Sequence, residues 1–350
     1  MNGHLATAIG QALEKLGDPL PDDWRRIVMV KNDGPVPIPS SPVPGDPTRG
    51  FNLLILSEGG APTHYVRCRD RSDPALLREG ELLRSLAALD DFRPHLPECA
   101  AGSSGSVQVL ATRFMSGRNF SHAVRGMPPE RWRESLFQLT ELVTRLGRAA
   151  GEGIVALRST ERLVLADEAA PYLAALGDGF LPMAGIEQLD GILKAAGEVH
   201  RFPQHGDLWP GNIMLDHDTW RLLDFDSFGQ VQVPLFDACH LTMTSMEYLL
   251  TGGNGYPRPW LTYLERRDEL GEGAIAVLHH NAEAHGFSRQ QAMGAVIFYL
   301  VELAARLTRR RAEPAISGIP LQELAMIADL TAAGARVDSI IFPGLANDHA

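Results

Sequence analysis

Apolar residues change their spacing along the chain, and the change divides it into a strand-rich part and a helical part. Residues 5–16 predict a short helix ending near Gly17, and residues 24–30 (WRRIVMV) read as a strand. Six prolines between Pro35 and Pro47 are too many for a helix or a central strand, which leaves an extended surface loop or a linker between domains. Residues 51–56 (FNLLIL) and 63–69 (THYVRCR) are strand-like runs separated by the Gly-rich SEGGAP, a hairpin signal. Asp73 and Pro74 then form an N-cap and N1 pair that opens a helix through residue 89. On it Leu76, Leu83 and Leu86 make one apolar stripe, Glu79 lies on the same inward stripe, and Glu81 lies off it. A carboxylate on a buried face needs a partner, and the preceding strand offers Arg67 and Arg69; a Glu at the surface edge with its head in water is the alternative.

Residues 107–115 (VQVLATRFM) read as another strand, broken by Ser116-Gly117. Beyond it the period is helical: Trp132, Leu136, Leu139, Val143 and Leu146 mark a long amphipathic helix over 129–150. Further helices are predicted at about 187–199, 236–250, 259–270 and 321–333, and Ser288 to Gln291 form a capping box opening a helix to about 311. The pattern predicts an α+β chain, with a small mixed lobe over residues 1–115 and a larger helical lobe over 116–350.

Composition narrows the class. The chain has 350 residues, 45% hydrophobic and 21% charged, as in a globular protein. Its net charge of −11 argues against general nucleic-acid binding, which needs a basic face. Three cysteines, Cys68, Cys99 and Cys239, with no CxxC, fit neither a disulfide framework nor a zinc ribbon. The first residues show no signal-peptide pattern, and the longest apolar run, 292–301, is too short to span a bilayer. A cytoplasmic protein without membrane or nucleic-acid partners is expected.

The candidate chemistry lies in residues 204–229, QHGDLWPGNIMLDHDTWRLLDFDSFG. The segment contains a short hairpin, 213–215 and 220–223 around the turn 216–219, with Asp207 and Asn212 before it and Asp224 at its exit. So short an antiparallel pair is expected to bring Asn212 and Asp224 side by side, with Asp207 at the mouth of the same cleft. Oxygen ligands of this kind suit a hard cation such as magnesium.

HGDLWPGN followed by LLDFD resembles the catalytic segment of the aminoglycoside phosphotransferase and choline kinase superfamily, small-molecule kinases with a protein-kinase-like fold. Trp209 is similar to a residue of the fructosamine kinase branch. RGFNLLILSEGGAPTHYVRCRDR resembles the family's phosphate loop and the two strands after it, LLREGELLRSL its helix with an inward Glu, and VLATRFMSGRNF its strand and hinge. LFDACHL and FYLVELAARL resemble a bracing segment and a late core helix, so that about residues 45–310 are covered.

The resemblance implies a bilobal kinase fold and ATP-dependent transfer of the γ-phosphate to a hydroxyl of a small molecule. It implies that Asp207 accepts or orients the substrate proton, while Asn212 and Asp224 hold Mg2+ on the ATP phosphates. His205 and Asp237 would support the loop. Gly50, Asn52, Arg67, Glu79 and the hinge residues Arg113, Phe114 and Met115 would meet the nucleotide, the hinge through its backbone. Asp226 is a rival to Asp224, which has the two-Leu lead-in of the family's ligand. The chain departs from the pattern twice: Arg67, with Arg69 as rival, stands where the family usually has Lys, and the phosphate loop keeps the single glycine Gly50. A kinase-like binding module without catalysis is the alternative these departures motivate.

Other patterns fail on context. There is no GxxxxGK[ST], and GEGIVA at Gly151 and GEGAIA at Gly271 lack a preceding strand. His279, His280 and His285 lack a completing acidic or Cys ligand. Arg306, Arg309, Arg310 and Arg311 read as a solvated helix C-terminus. Glu247, Glu265, Asp268, Glu269, Glu272 and Glu283 form either an ordinary acidic surface or the lining of a site for a cationic acceptor.

Overall fold

The computed structural model describes residues 3–23, 26–31, 34–36, 50–70, 74–158, 161–177, 180–254, 259–309, 314–343 and 345. Trp24, the prolines from Pro37 to Pro47, Asp73, Arg310 and Arg311 lie outside them. The chain opens with α1 (Gly3–Lys15), β1 (Ile27–Lys31), β2 (Gly34–Val36), β3 (Phe51–Leu56), β4 (Pro62–Asp70), α2 (Ala75–Ala87), β5 (Cys99–Ser104) and β6 (Val107–Arg113). Next come β7 (Arg118–Asn119), α3 (Phe120–Ala123), α4 (Pro129–Gly153), β8 (Arg162–Val164), α5 (Leu165–Gly177), α6 (Met183–Ala196) and β9 (Glu198–His200). The hairpin β10 (Ile213–Asp216) and β11 (Thr219–Leu222) follows. It precedes α7 (Phe236–Thr251), α8 (Trp260–Glu265), α9 (Glu269–Ala284), α10 (Arg289–Arg309), α11 (Pro314–Ala332) and α12 (Val337–Ile341).

Two compact units result. One comprises Met1–Arg118 with Met214–Asp226, the other Asn119–Ile213 with Ser227–Ala350. A single cut after residue 115 leaves the β10–β11 hairpin with the helices; in the structure it belongs almost wholly to the first unit.

The first unit is built on a six-stranded antiparallel sheet in the order β2-β1-β3-β4-β6-β5. Period-two alternation gives each strand two faces. Leu53, Ile55, Val66, Cys68, Val109 and Ala111 form one buried cluster with Leu5, Ala8, Ile9, Ala12 and Leu13 of α1. The helix backbone comes so near that a Cβ on Gly102 of β5 would lie 2.0 Å from the Ala8 carbonyl oxygen. α2 buries Leu76, Glu79, Leu83 and Leu86, and a Cβ on its Gly80 would be 3.1 Å from Leu110 Cδ1. Leu110 is out of phase with Val109 and Ala111, so α2 takes the opposite sheet face. Arg67, out of phase with Val66 and Cys68, falls on the α2 side.

The second unit is helical. α10 buries nearly every residue between Ala292 and Ala305, which explains its uninterrupted apolar run as a helix sunk in a core. No helix among the described residues is long and apolar enough to cross a membrane. Two polar pairs lie in this core: Trp132 Nε1 donates to Ser245 Oγ at 3.0 Å and Asn281 Nδ2 to Thr140 Oγ1 at 3.1 Å.

Helix boundaries depart from the sequence pattern where local chemistry interrupts them. The helix expected over 259–270 splits into α8 and α9, because Arg267 takes φ 53° and Asp268 caps α9 by accepting from Gly271 N at 3.0 Å. α6 stops at Gly197, φ 65°, ahead of the expected end.

Candidate active site

In the first unit, β4 and α2 bring Arg67 and Glu79 together. The Arg67 guanidinium pairs with the Glu79 carboxylate, and its Nη1 donates to Asp224 Oδ1 at 2.8 Å. Phe225 N donates to Glu79 Oε1 at 3.2 Å. Glu79 is only 3% exposed, so burial pushes its carboxyl up while Arg67 opposes the shift. Burial works against the charge on Arg67, but Glu79 and Asp224 outweigh it and hold the guanidinium protonated. Glu79 pairs with Arg67; the Arg69 Nη1 donates instead to the Cys68 carbonyl at 3.0 Å. The same head group fills the space beside Gly50, where a Cβ would lie 1.8 Å from Nη1. Asn52 pairs with Arg67 across β3 and β4, and Asp226 is exposed. Asp224 takes φ 60°, a left-handed conformation that Asp tolerates better than most residues.

The three hinge residues differ in availability. Arg113 is tied down by its side chain, with Nε donating to Glu98 Oε2 at 2.6 Å and Nη2 within 2.9 Å of Asp18. Phe114 N donates to the Thr63 carbonyl at 2.7 Å. Met115 is buried, and among the described residues its N–H has no partner.

In the second unit, residues 204–212 form a tight loop held from several sides. His205 is fully buried, and its N–H donates to Asp237 Oδ2 at 2.5 Å, while Gly206 N donates to Asp237 Oδ1 at 2.9 Å. Gly206 takes φ 80°, and a Cβ there would lie 2.9 Å from the Ser227 carbonyl oxygen. Gln204 Oε1 accepts from Asp237 N at 3.0 Å, closing the brace. Burial pushes the Asp237 carboxyl up to about 7, against the two backbone N–H groups.

Asp207 sits at the exposed end of this loop. Asn212 Nδ2 donates to the Asp207 carbonyl at 2.9 Å and to Oδ2 at 3.2 Å. With its NH2 so committed, the Asn212 side chain offers its oxygen. Asp207 Oδ1 lies 3.6 Å from both His240 Nε2 and Arg306 Nη1. Burial opposes the charge on Asp207, but His240, Arg306 and His205 overcome it and hold its carboxyl below the usual range. Burial, the largest cause, lowers His240 itself, while Asp207 opposes that shift.

The solvated reading of Arg306 is corrected by its surroundings. It is one of the two charged residues of the apolar FYLVELAARL run; its side chain is 18% exposed, its Nη1 donates to the Gly206 carbonyl at 3.4 Å, and it lies 6.0 Å over the Phe236 ring. Glu302, one turn earlier, pairs with it at 3.5 Å. A charged i,i+4 pair inside an apolar helix was the available signal. His240, three residues after Asp237 on one helix face, had no comparable mark. Trp209 stacks on Tyr248 at 6.3 Å, with Arg125 on the same ring at 5.5 Å.

Asn212 in the second unit and Asp224 in the first each carry an oxygen donor of the kind hard cations take, and no group of three or more His, Cys, Asp or Glu among the described residues could hold a metal. The acidic residues considered for a cationic acceptor have local duties in part: Asp268 caps α9, and Glu283 lies 3.5 Å from His279.

The family model described as the phosphotransferase enzyme family (APH) matches residues 54–270. Among solved structures, the GDP and kanamycin complex of APH(2")-IIia is 14% identical, covering 83% of this chain and 92% of that chain at a TM-score of 0.50. The ADP-bound aminoglycoside phosphotransferase APH(2'')-Ib is 10% identical, covering 90% of this chain and 94% of that one, also at 0.50. No curated protein sequence matches. The fold is thus the protein-kinase-like α+β fold, with a β-rich N-terminal unit and a helical C-terminal one.

Proposed function

The chain belongs to the phosphotransferase enzyme family, and from that premise we propose that it transfers the γ-phosphate of ATP to a hydroxyl of a small molecule. The observation that carries the reading is the state of Asp207: a partly exposed carboxylate, kept anionic by His240 and Arg306, on a loop whose backbone is pinned by Asp237. Such a group orients an acceptor hydroxyl and takes its proton as the phosphoryl group departs from the nucleotide. Preorganisation is the larger part of the task, because phosphoryl transfer asks mainly for positioning and charge neutralisation.

Asn212 and Asp224 are the residues that would hold magnesium, which when bound neutralises charge on the nucleotide phosphates. Arg67, fixed by Glu79, would contact those phosphates, as a planar fork rather than the point charge of Lys. The Gly50–Asn52 segment and the backbone of Met115 would receive the rest of the nucleotide. The acceptor class we favour is an aminoglycoside-, choline- or sugar-amine-like alcohol, in keeping with the aminoglycoside enzymes that share the fold.

A screen of a broad hydroxylated metabolite pool for a mass gain of about 80 daltons, one HPO3, tests the reading. Transfer by the natural protein and none by Asp207→Asn is the expected result; no product in any pool, while a related kinase in the same assay works, would refute it. One observation favours a second reading, a nucleotide-binding module without turnover: Arg67 already occupies Asp224 Oδ1. A thermal shift with ATP and magnesium but no turnover would favour that reading, and turnover dependent on Asp207 would eliminate it.

A further inference from the structure

The second unit contains a cleft of about 560 Å3, a size that suits a small organic ligand. None of Asp207, Asn212, His240 and Arg306 lines it. Its walls carry three guanidinium groups, Arg148, Arg158 and Arg201, against one carboxylate, Glu152, in a chain whose net charge is −11. Arg201 is spoken for by Glu168 at 3.4 Å, and Arg158 Nη2 donates to the Glu152 carbonyl at 2.6 Å. Arg148 has no ion-pair partner among the described residues.

Two histidines, His200 and His285, line the same cleft. His200 Nε2 and His285 Nδ1 are 3.2 Å apart, so one ring donates to the other. The outer nitrogens of the two rings are then one N–H donor and one acceptor. Phe202 packs edge-on against His285 at 4.6 Å and fixes its plane. Burial lowers His285 to about 3, with His200 and Arg148 acting in the same direction, and burial also lowers His200. The pair is therefore uncharged near neutrality and donates without adding a cation of its own.

We propose that this cleft is a second ligand site for a small organic oxyanion, whose phosphate or carboxylate pairs with Arg148 and accepts from the His200–His285 pair. The site adjoins the loop already described: Pro203 lines the cleft one residue before Gln204, and His285 also lines a cavity of about 10 Å3 that Gln204 and Asp237 share. An anion held here touches the segment that leads into the catalytic loop, without competing for the acceptor position. The inference does not rest on the proposed phosphotransfer, because binding is measured directly.

Calorimetric titration of the full chain with inorganic phosphate and with succinate, against chloride at equal ionic strength, tests it. Histidine ring resonances are followed by NMR in parallel. The expected result is saturable binding of at least one probe, with movement of the His200 and His285 signals; the probe that binds identifies the head group as phosphate or carboxylate. Arg148→Ala, an exposed helical substitution, should weaken that binding roughly tenfold, and Arg148→Glu should abolish it. Heats equal to those of chloride, affinity unchanged in both variants, or binding without movement of either histidine would overturn the proposal.

Discussion

Removal of the Asp237 carboxylate should loosen the candidate catalytic loop more than any other single change at the site. The carboxylate accepts from two successive backbone N–H groups, His205 at 2.5 Å and Gly206 at 2.9 Å, and is 4% exposed, so water is not at hand to replace it. Asp237→Ala strands both donors. Each buried unsatisfied donor costs roughly 1–3 kcal/mol, so the pair costs about 2–6 kcal/mol before relief is counted. The relief comes from no longer burying a carboxyl that burial has pushed up to about 7. A net loss of about 2–4 kcal/mol is expected, a large share of the roughly 5–15 kcal/mol that holds a domain folded. Asp237→Asn keeps one acceptor and should lose about half as much. Urea unfolding followed by circular dichroism gives the numbers, with phosphotransfer measured on the same samples under folding conditions. If Asp237→Ala lies within about 0.5 kcal/mol of the natural protein and turns over normally, the brace is not what holds the loop.

The same carboxyl makes stability depend on pH. Because its folded pKa is raised, its contribution is fullest below the ordinary carboxylate range and falls as pH rises towards about 7, by up to about 1.4 kcal/mol per pH unit. Asp237→Asn should flatten the unfolding free energy between about pH 5 and about pH 7; an unchanged slope would contradict the assignment. At the first-unit pair, Arg67→Gln leaves Glu79 buried without its cation and should cost about 3–5 kcal/mol, whereas Arg67→Met with Glu79→Leu should recover most of that loss in the same melt. Arg306→Gln removes a guanidinium 3.6 Å from Asp207 and should lower kcat about tenfold with little change in the KM for ATP, which steady-state kinetics on an identified acceptor would read.

Much of the fold was legible because the first-unit strands alternate cleanly. FNLLIL and THYVRCR became β3 and β4 around their Gly-rich turn. β5, CAAGSS, was not foreseen, since small residues carry no apolar alternation and its pairing is supplied by β6. α5 was missed with Pro171 inside it, and α9 was hidden behind the run that Asp268 divides. At the site, period two puts Arg67 and Arg69 on the same face, so alternation alone could not choose between them. In the structure Arg67 pairs with Glu79 and Asp224, while Arg69 Nη1 donates to the Cys68 carbonyl. His240 and Arg306 reach Asp207 from helices far along the chain, and only the packing of α7 and α10 reveals them.

The central claim is that Asp207 serves a phosphoryl transfer, and the rate of γ-phosphate transfer by Asp207→Asn against the natural protein tests it most directly. With the acceptor found by the mass-gain screen, the account predicts a fall of about 10²–10⁴-fold in kcat while the variant keeps its fold and its affinity for ATP. Transfer at the natural rate by folded Asp207→Asn would contradict it.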